Sequence, residues 1–293
     1  MTSTDVENIS LLVSMGFNSR ASQQALQMCK GNVERAVEYL LSGNSLGGST
    51  HANSDGVTNN SSQLKIVQSD VSQYSNPLGR SACTAIAMTQ AFNCISQLND
   101  ASPASVVNSA LLCRSVNDGI TLYSELICNN SRNGVEHFSV EDILAACLGK
   151  DNIITSSLKL LPNYPRQGIL SNLSSNKHMG LQALLSQCQM DSTEPYTAVV
   201  ITKTPETVLV ILPNQSASSN AEFILIDSHP RPQQLAPHYP LGSYALFHPT
   251  LESLVASLKE IFPITELGDG VPELMQMMYN SFDIYPFQRR SDE

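Results

Sequence analysis

Charge is scarce in this 293-residue sequence, with Asp, Glu, Lys and Arg together at 14%. Basic charge is scarcer still: 16 Lys and Arg face 26 Asp and Glu, for a net charge of −10. A general binder of nucleic acid or of an anionic membrane needs a basic face, so neither class is expected. No apolar run approaches the ~18 residues of a membrane span. The first residues, Met-Thr-Ser-Thr-Asp-Val-Glu, have no basic start and no apolar h-region, so no secretory signal is expected. The location that follows is cytoplasmic, with the nucleus open. No glycine-rich phosphate cradle of the Walker type occurs, which disfavours nucleotide hydrolysis. There is no Cys-x-x-Cys pair among the 7 cysteines at 29, 83, 94, 113, 128, 147 and 188. A disulfide framework is therefore not expected, and neither metal nor cofactor is called for.

Hydrophobic residues make up 42% of the chain, enough for a sizeable core. The length is about twice the ~150 residues of a typical domain, so two domains are expected. The first is placed at 5–43, where three short helices are predicted. Val6, Ile9, Leu12 and Val13 mark one, before a break at Met15-Gly16-Phe17. Ala21, Ala25, Leu26 and Cys29 mark the next, which stops at Lys30-Gly31. Asn32 is a good N-cap for the third, with Glu34 in its first turn and Val33, Ala36, Val37, Leu40 and Leu41 as its stripe.

This stretch resembles the UBA (ubiquitin-associated) domain in Met15-Gly16-Phe17, Ala25-Leu26, Gly31-Asn32-Val33-Glu34 and Ala36-Val37-Glu38-Tyr39-Leu40-Leu41. The resemblance implies that Met15, Gly16 and Phe17, with Leu40 and Leu41, dock on the apolar patch of ubiquitin or of polyubiquitin chains. A domain of about forty residues cannot bury all its apolar side chains, which suits a binding role. Over 42–63, Ser, Gly and Asn fill 14 of 22 positions. A flexible linker is therefore placed at 44–63, with an r.m.s. reach of roughly 25 Å.

The second domain, 64–293, is predicted to be α+β, with helices first and an antiparallel sheet afterwards. A nearly all-apolar helix over 81–98 should be central. Further helices are expected from Ser139 through Cys147 with a capping box, over 179–189 and over 250–261. Strands are expected over 196–202, 207–212, 223–227 and 242–247. The Met- and aromatic-rich end, 268–293, is expected to pack on the sheet or to form a partner surface.

Two places carry possible chemistry. In Gly79-Arg80-Ser81-Ala82-Cys83, a cysteine enters the first turn of the central helix, where the helix dipole favours thiolate. Loop amides there would face a developing oxyanion. In Phe223-Ile-Leu-Ile-Asp227-Ser228-His229, a strand ends in Asp-x-His, and alternation would project Asp227 and His229 to one face. Cys83, His229 and Asp227 then supply nucleophile, base and orienting acid. His238 and His248 are rival bases, and His137 and His178 sit in less suggestive contexts. The combination resembles the papain-like cysteine peptidases of the viral-tegument deubiquitinase type. That resemblance implies a central helix packed on an antiparallel sheet, with Cys83, His229 and Asp227 in those roles. It also implies a glutamine upstream of the nucleophile at the oxyanion; Gln68 is assigned to it, with Gln73 equally available. The expected activity is cleavage after the C-terminal glycine of ubiquitin. The alternatives are a non-catalytic ubiquitin adaptor with an inactive peptidase-like domain, and a thiol peptidase or acyltransferase acting on another ubiquitin-like protein.

Overall fold

Tyr196–Lys203 and Glu206–Pro213 are strands with almost unbroken runs of buried residues. Such runs suit strands covered on both faces. The computed structural model describes residues 8, 22–23, 25–26, 29, 31–33, 35–36, 64–98, 102–129, 137–147, 153–170, 179–215, 221–231, 241–268 and 270–290. The chain divides into two compact units, Met1–Ser61 and Ser62–Glu293.

In the smaller unit, Gly31 has a φ of +81°, and its N–H reaches the Leu26 carbonyl at 2.7 Å. Glycine adopts this left-handed conformation at little cost, which is why the preceding helical stretch ends there. Asn32 then caps the next one, its Oδ1 accepting from the Arg35 N–H at 3.0 Å. Ala25, Leu26 and Ala36 are buried. Met15, Gly16, Phe17, Leu40 and Leu41 lie outside the described residues, as does the stretch 44–63.

In the larger unit, eight strands form one sheet. They are β1 (Lys65–Gln68), β2 (Leu158–Leu160), β3 (Arg166–Ile169), β4 (Tyr196–Lys203), β5 (Glu206–Pro213), β6 (Phe223–Asp227), β7 (Tyr244–His248) and β8 (Ser281–Arg289). The order is β1-β7-β6-β5-β4-β8-β2, with β3 also paired to β8, and every pairing is antiparallel. The helices are α1 (Cys83–Leu98), α2 (Pro103–Val106), α3 (Ser109–Asn129), α4 (Val140–Cys147), α5 (Ile153–Ser157), α6 (Leu181–Asp191), α7 (Leu251–Ile261) and α8 (Glu273–Tyr279).

The fold is mixed α+β, with helices on both faces of the sheet. One core joins α1, α3 and α4 to Ala198, Val200, Leu209, Ile211, Ile224 and Phe247. The other joins α6 and α7 to Val199, Ile201, Val210, Leu225 and Leu246. Successive strand residues thus feed opposite cores. Helix α1 is buried on nearly every side. Fully burying aliphatic chains such as Ile86 and Ile95 stabilises by roughly 1.5–3 kcal/mol each. A Cβ at Gly119 would lie 2.5 Å from the Ile86 Cα. Only glycine lets α3 approach α1 so closely, and this contact fixes the axis along which Cys83 sits.

Helix α3 and the edge strands β1, β2 and β3 were not anticipated from sequence. The C-terminal stretch divides in two: β8 inserts into the sheet, whereas α8 leaves Leu274, Met275, Met278 and Tyr279 exposed. No helix of the described residues is long and apolar enough to cross a membrane.

Candidate active site

The sheet register brings one set of strand ends together. Asp227, the last residue of β6, lies opposite Tyr244, the first of β7. The turn between β4 and β5, Thr204-Pro205, is at the same end. Cys83 begins α1 there, and no acidic residue in its first turn opposes the positive helix end. Cys83, Asp227 and His229 are 2%, 1% and 3% exposed.

His229 Nδ1 lies 2.6 Å from Asp227 Oδ1, and the same oxygen accepts the His229 backbone N–H at 2.8 Å. The His229 imidazole is also close enough to the Cys83 thiol for each to shift the other's proton affinity. The three residues expected from sequence to form a catalytic group therefore converge. The thiol also faces the Pro205 carbonyl oxygen, 3.6 Å away.

The electrostatics follow from this geometry. Burial pushes the Asp227 carboxyl up, but the charges of Arg231 and His229 outweigh it and hold it well below the usual carboxylate range. Burial alone would lower His229; the charge and hydrogen bond of Asp227 prevail and raise it to about 10. Burial would raise the Cys83 thiol, yet the hydrogen bond and charge of His229 bring it below its ordinary value. Cys94 and Cys188 go the other way, pushed by burial to about 12 and about 11. None of the seven cysteines is in a disulfide, and among the described residues Cys83 is the one set beside an imidazole as a thiolate nucleophile requires.

Gln68, the glutamine assigned to the oxyanion from sequence, is an exposed residue at the end of β1, paired across to Tyr244. The register puts it on the same sheet face as Tyr244 and Asp227, but at the solvent-exposed edge of the sheet. Gln73, the alternative, is the glutamine that reaches the site. It is buried, its Oε1 accepts from the Ser228 hydroxyl at 2.9 Å, and its Nε2 donates to the Arg80 carbonyl at 3.3 Å. A Cβ at Gly79 would fall 2.1 Å from the Gln73 carbonyl oxygen, so glycine is what allows the loop before Cys83 to press against Gln73.

The rival histidines do not join the cluster. His248 pairs with Phe223 at the far end of β6, with its Nδ1 2.8 Å from the Ser253 hydroxyl. Burial depresses it to about 4. His137 is exposed, and His178 and His238 lie outside the described residues. No group of three or more His, Cys, Asp or Glu able to hold a metal occurs among the described residues.

Four neighbours were not anticipated. Arg231 Nε donates to Asp227 Oδ2 at 2.9 Å, and the Tyr244 hydroxyl donates to the same oxygen at 3.2 Å. Glu206 receives the other end of the Arg231 guanidinium. Tyr74 sets its ring edgewise to His229, with centroids 6.0 Å apart. Arg231 was within reach of sequence reading, four positions after Asp227 in Asp-Ser-His-Pro-Arg. The other three depend on strand register and turn placement.

Comparison with known proteins adds two findings. Residues 5–40 match the model of the UBA/TS-N domain family. The chain carries a UBA domain. Among solved structures, it is similar to the ubiquitin-specific protease encoded by murine cytomegalovirus tegument protein M48, a structure in complex with a ubiquitin-based suicide substrate. The TM-score is 0.53 at 14% identity, covering 78% of this chain and 88% of the viral one. That likeness is one of fold. No curated protein matches the sequence.

Proposed function

We propose that this protein is a ubiquitin-binding cysteine hydrolase, a deubiquitinase that cleaves after the C-terminal glycine of ubiquitin. The observation that carries the reading is a buried thiol at a helix start, gathered with an imidazole that is itself held by a buried carboxylate. The UBA domain and the fold shared with a viral ubiquitin-specific protease supply the substrate class. A cytoplasmic or nuclear location goes with it.

In this mechanism the Cys83 thiolate attacks the carbonyl carbon of the glycine, forming a C–S bond. Negative charge develops on the carbonyl oxygen, which amides at the start of α1 would stabilise. Gln73 braces the loop that carries them. His229 passes its proton to the leaving amine as the C–N bond breaks, giving a thioester and a free amine. Water then loses a proton to His229 and attacks the thioester. The ubiquitin carboxyl is released and the thiolate–imidazolium pair returns. Asp227 holds the imidazole orientation and stabilises its charged form throughout.

Ubiquitin bearing a C-terminal electrophile tests the reading. It should label wild-type protein at Cys83 and leave Cys83→Ala unlabelled. A folded protein that binds ubiquitin yet stays unlabelled would be an adaptor instead, and labelling by another ubiquitin-like probe alone would reassign the substrate.

A further inference from the structure

We infer that Glu206, acting through Arg231, is a positioning residue of the Cys83–His229–Asp227 site, the counter-charge that lets one carboxylate serve two cations. The geometry is a closed chain. Asp227 divides its oxygens: Oδ1 takes the backbone N–H and the Nδ1 of His229, and Oδ2 takes Arg231 and Tyr244. The Arg231 fork then closes on Glu206, with the two guanidinium nitrogens 2.7 and 3.3 Å from its carboxylate oxygens. Glu206 directly follows Pro205, whose carbonyl faces the Cys83 thiol. Acid, base, nucleophile and the β4–β5 turn are thereby tied in one ring of contacts.

A buried arginine beside the acid would ordinarily work against the base. A guanidinium near His229 disfavours its protonated form, and it competes for the carboxylate that should stabilise the imidazolium. Glu206 offsets the first effect by neutralising Arg231 and the second by accepting from its two terminal nitrogens. The fork is bidentate, so it also fixes Arg231 in one orientation. What Arg231 leaves at Asp227 is a single Nε–H, beside the Tyr244 hydroxyl, on the oxygen that His229 does not use.

The groups around His229 come from several elements. Asp227 and Arg231 flank it in sequence, and Cys83 faces it from α1. Tyr74 faces it from the turn after β1. Tyr244 on β7 and Glu206 on β5 act through Asp227 and Arg231. Lys203 stands opposite Glu206 across the β4–β5 turn. Of these, Glu206 and Lys203 are the charged members that reach solvent, the Glu206 side chain being 30% exposed. A glutamine there keeps the shape and removes the charge.

The test is Glu206→Gln in the full chain, with Glu206→Asp as the conservative variant and the remote Glu194→Gln as control. The first readout is the titration of the His229 imidazole by ¹⁵N NMR, which needs no turnover. We expect its midpoint to fall by about one pH unit, the scale of one nearby charge interaction. Glu206→Asp should recover part of the shift, and Glu194→Gln should leave it unmoved. The second readout is kcat/KM on a ubiquitin substrate against pH, whose alkaline limb should move down with the imidazole. That arm rests on the hydrolase reading, whereas the NMR arm does not. An imidazole shift without ubiquitin turnover in any variant would refute the reading and leave the role of Glu206 standing. A His229 titration in Glu206→Gln that overlays wild type would overturn the inference.

Discussion

Ser228 and Gln73, 155 positions apart, are joined by a buried hydrogen bond of 2.9 Å from the serine hydroxyl to the glutamine Oε1. The Gln73 N–H also donates to the Ser228 carbonyl at 3.1 Å. The residue between the acid and the base is thus the anchor of the glutamine that braces the nucleophile loop.

Gln73→Ala should lower kcat/KM on a ubiquitin substrate by tenfold or more. It would also destabilise by about 1–3 kcal/mol, because it strips a partner from Ser228 and the Arg80 carbonyl. Gln68→Ala, at an exposed strand end, should change stability by less than about 0.5 kcal/mol and leave kcat/KM intact. Kinetics and denaturant midpoints of the two variants, measured side by side, check the assignment. A larger kinetic loss in Gln68→Ala would return the role to that residue.

Which parts of this were legible beforehand follows from how local each signal is. The Cys83 helix, the Asp227–His229 strand end and the central strands are written in contiguous residues. Helix α3 did carry a stripe, with Leu112, Val116, Gly119, Ile120, Tyr123 and Leu126 facing the core. Its serines, asparagines and mid-helix glycine weakened the pattern. Strand β8 contains Pro286, which argues against a central strand. The proline is tolerated because it falls between the stretches of β8 that pair with β2 and with β3. The unbroken apolar runs of β4 and β5 already implied two covered faces, a signal the sequence reading left unused. Glu206 was invisible for another reason: its meeting with Arg231 is a matter of register, and register is not local.

Asp227→Asn should reduce kcat by on the order of 10²–10⁴-fold, because the imidazole loses the carboxylate that orients and charges it. It should also change how stability depends on pH. His229 is raised in the folded state to about 10, above its ordinary 6.5. Its contribution is therefore fully present below about pH 6.5 and is lost as pH rises through the folded value near 10. Denaturant midpoints between pH 6 and 10.5 should decline in wild type and flatten in Asp227→Asn. Parallel declines in both would show that His229 draws little from Asp227.

Gly119→Ala places a methyl 2.5 Å from the Ile86 Cα, where backbone rather than a side-chain tip must yield. Overpacking of this kind costs about 1–3 kcal/mol. Because α1 carries Cys83 at its start, its displacement should also slow labelling by a ubiquitin electrophile in the protein that remains folded. A fall in the denaturant midpoint with unchanged labelling rate would mean that the α1–α3 contact sets stability alone.

The UBA domain and the thiol site should separate kinetically. Met15 and Leu40 belong to the surface that the UBA resemblance assigns to ubiquitin, on a domain followed by a stretch rich in Ser, Gly and Asn. Tethering raises the local concentration of substrate without touching the reacting atoms. Met15→Ala and Leu40→Ala should therefore raise KM for polyubiquitin by on the order of tenfold or more. The kcat should stay near wild type, as should the rate at which a small haloacetamide alkylates Cys83, read by peptide mapping. Cys83→Ala should do the reverse, binding polyubiquitin normally while turning none over. Equal losses of kcat in the UBA variants would mean that this domain acts on the chemistry rather than on capture.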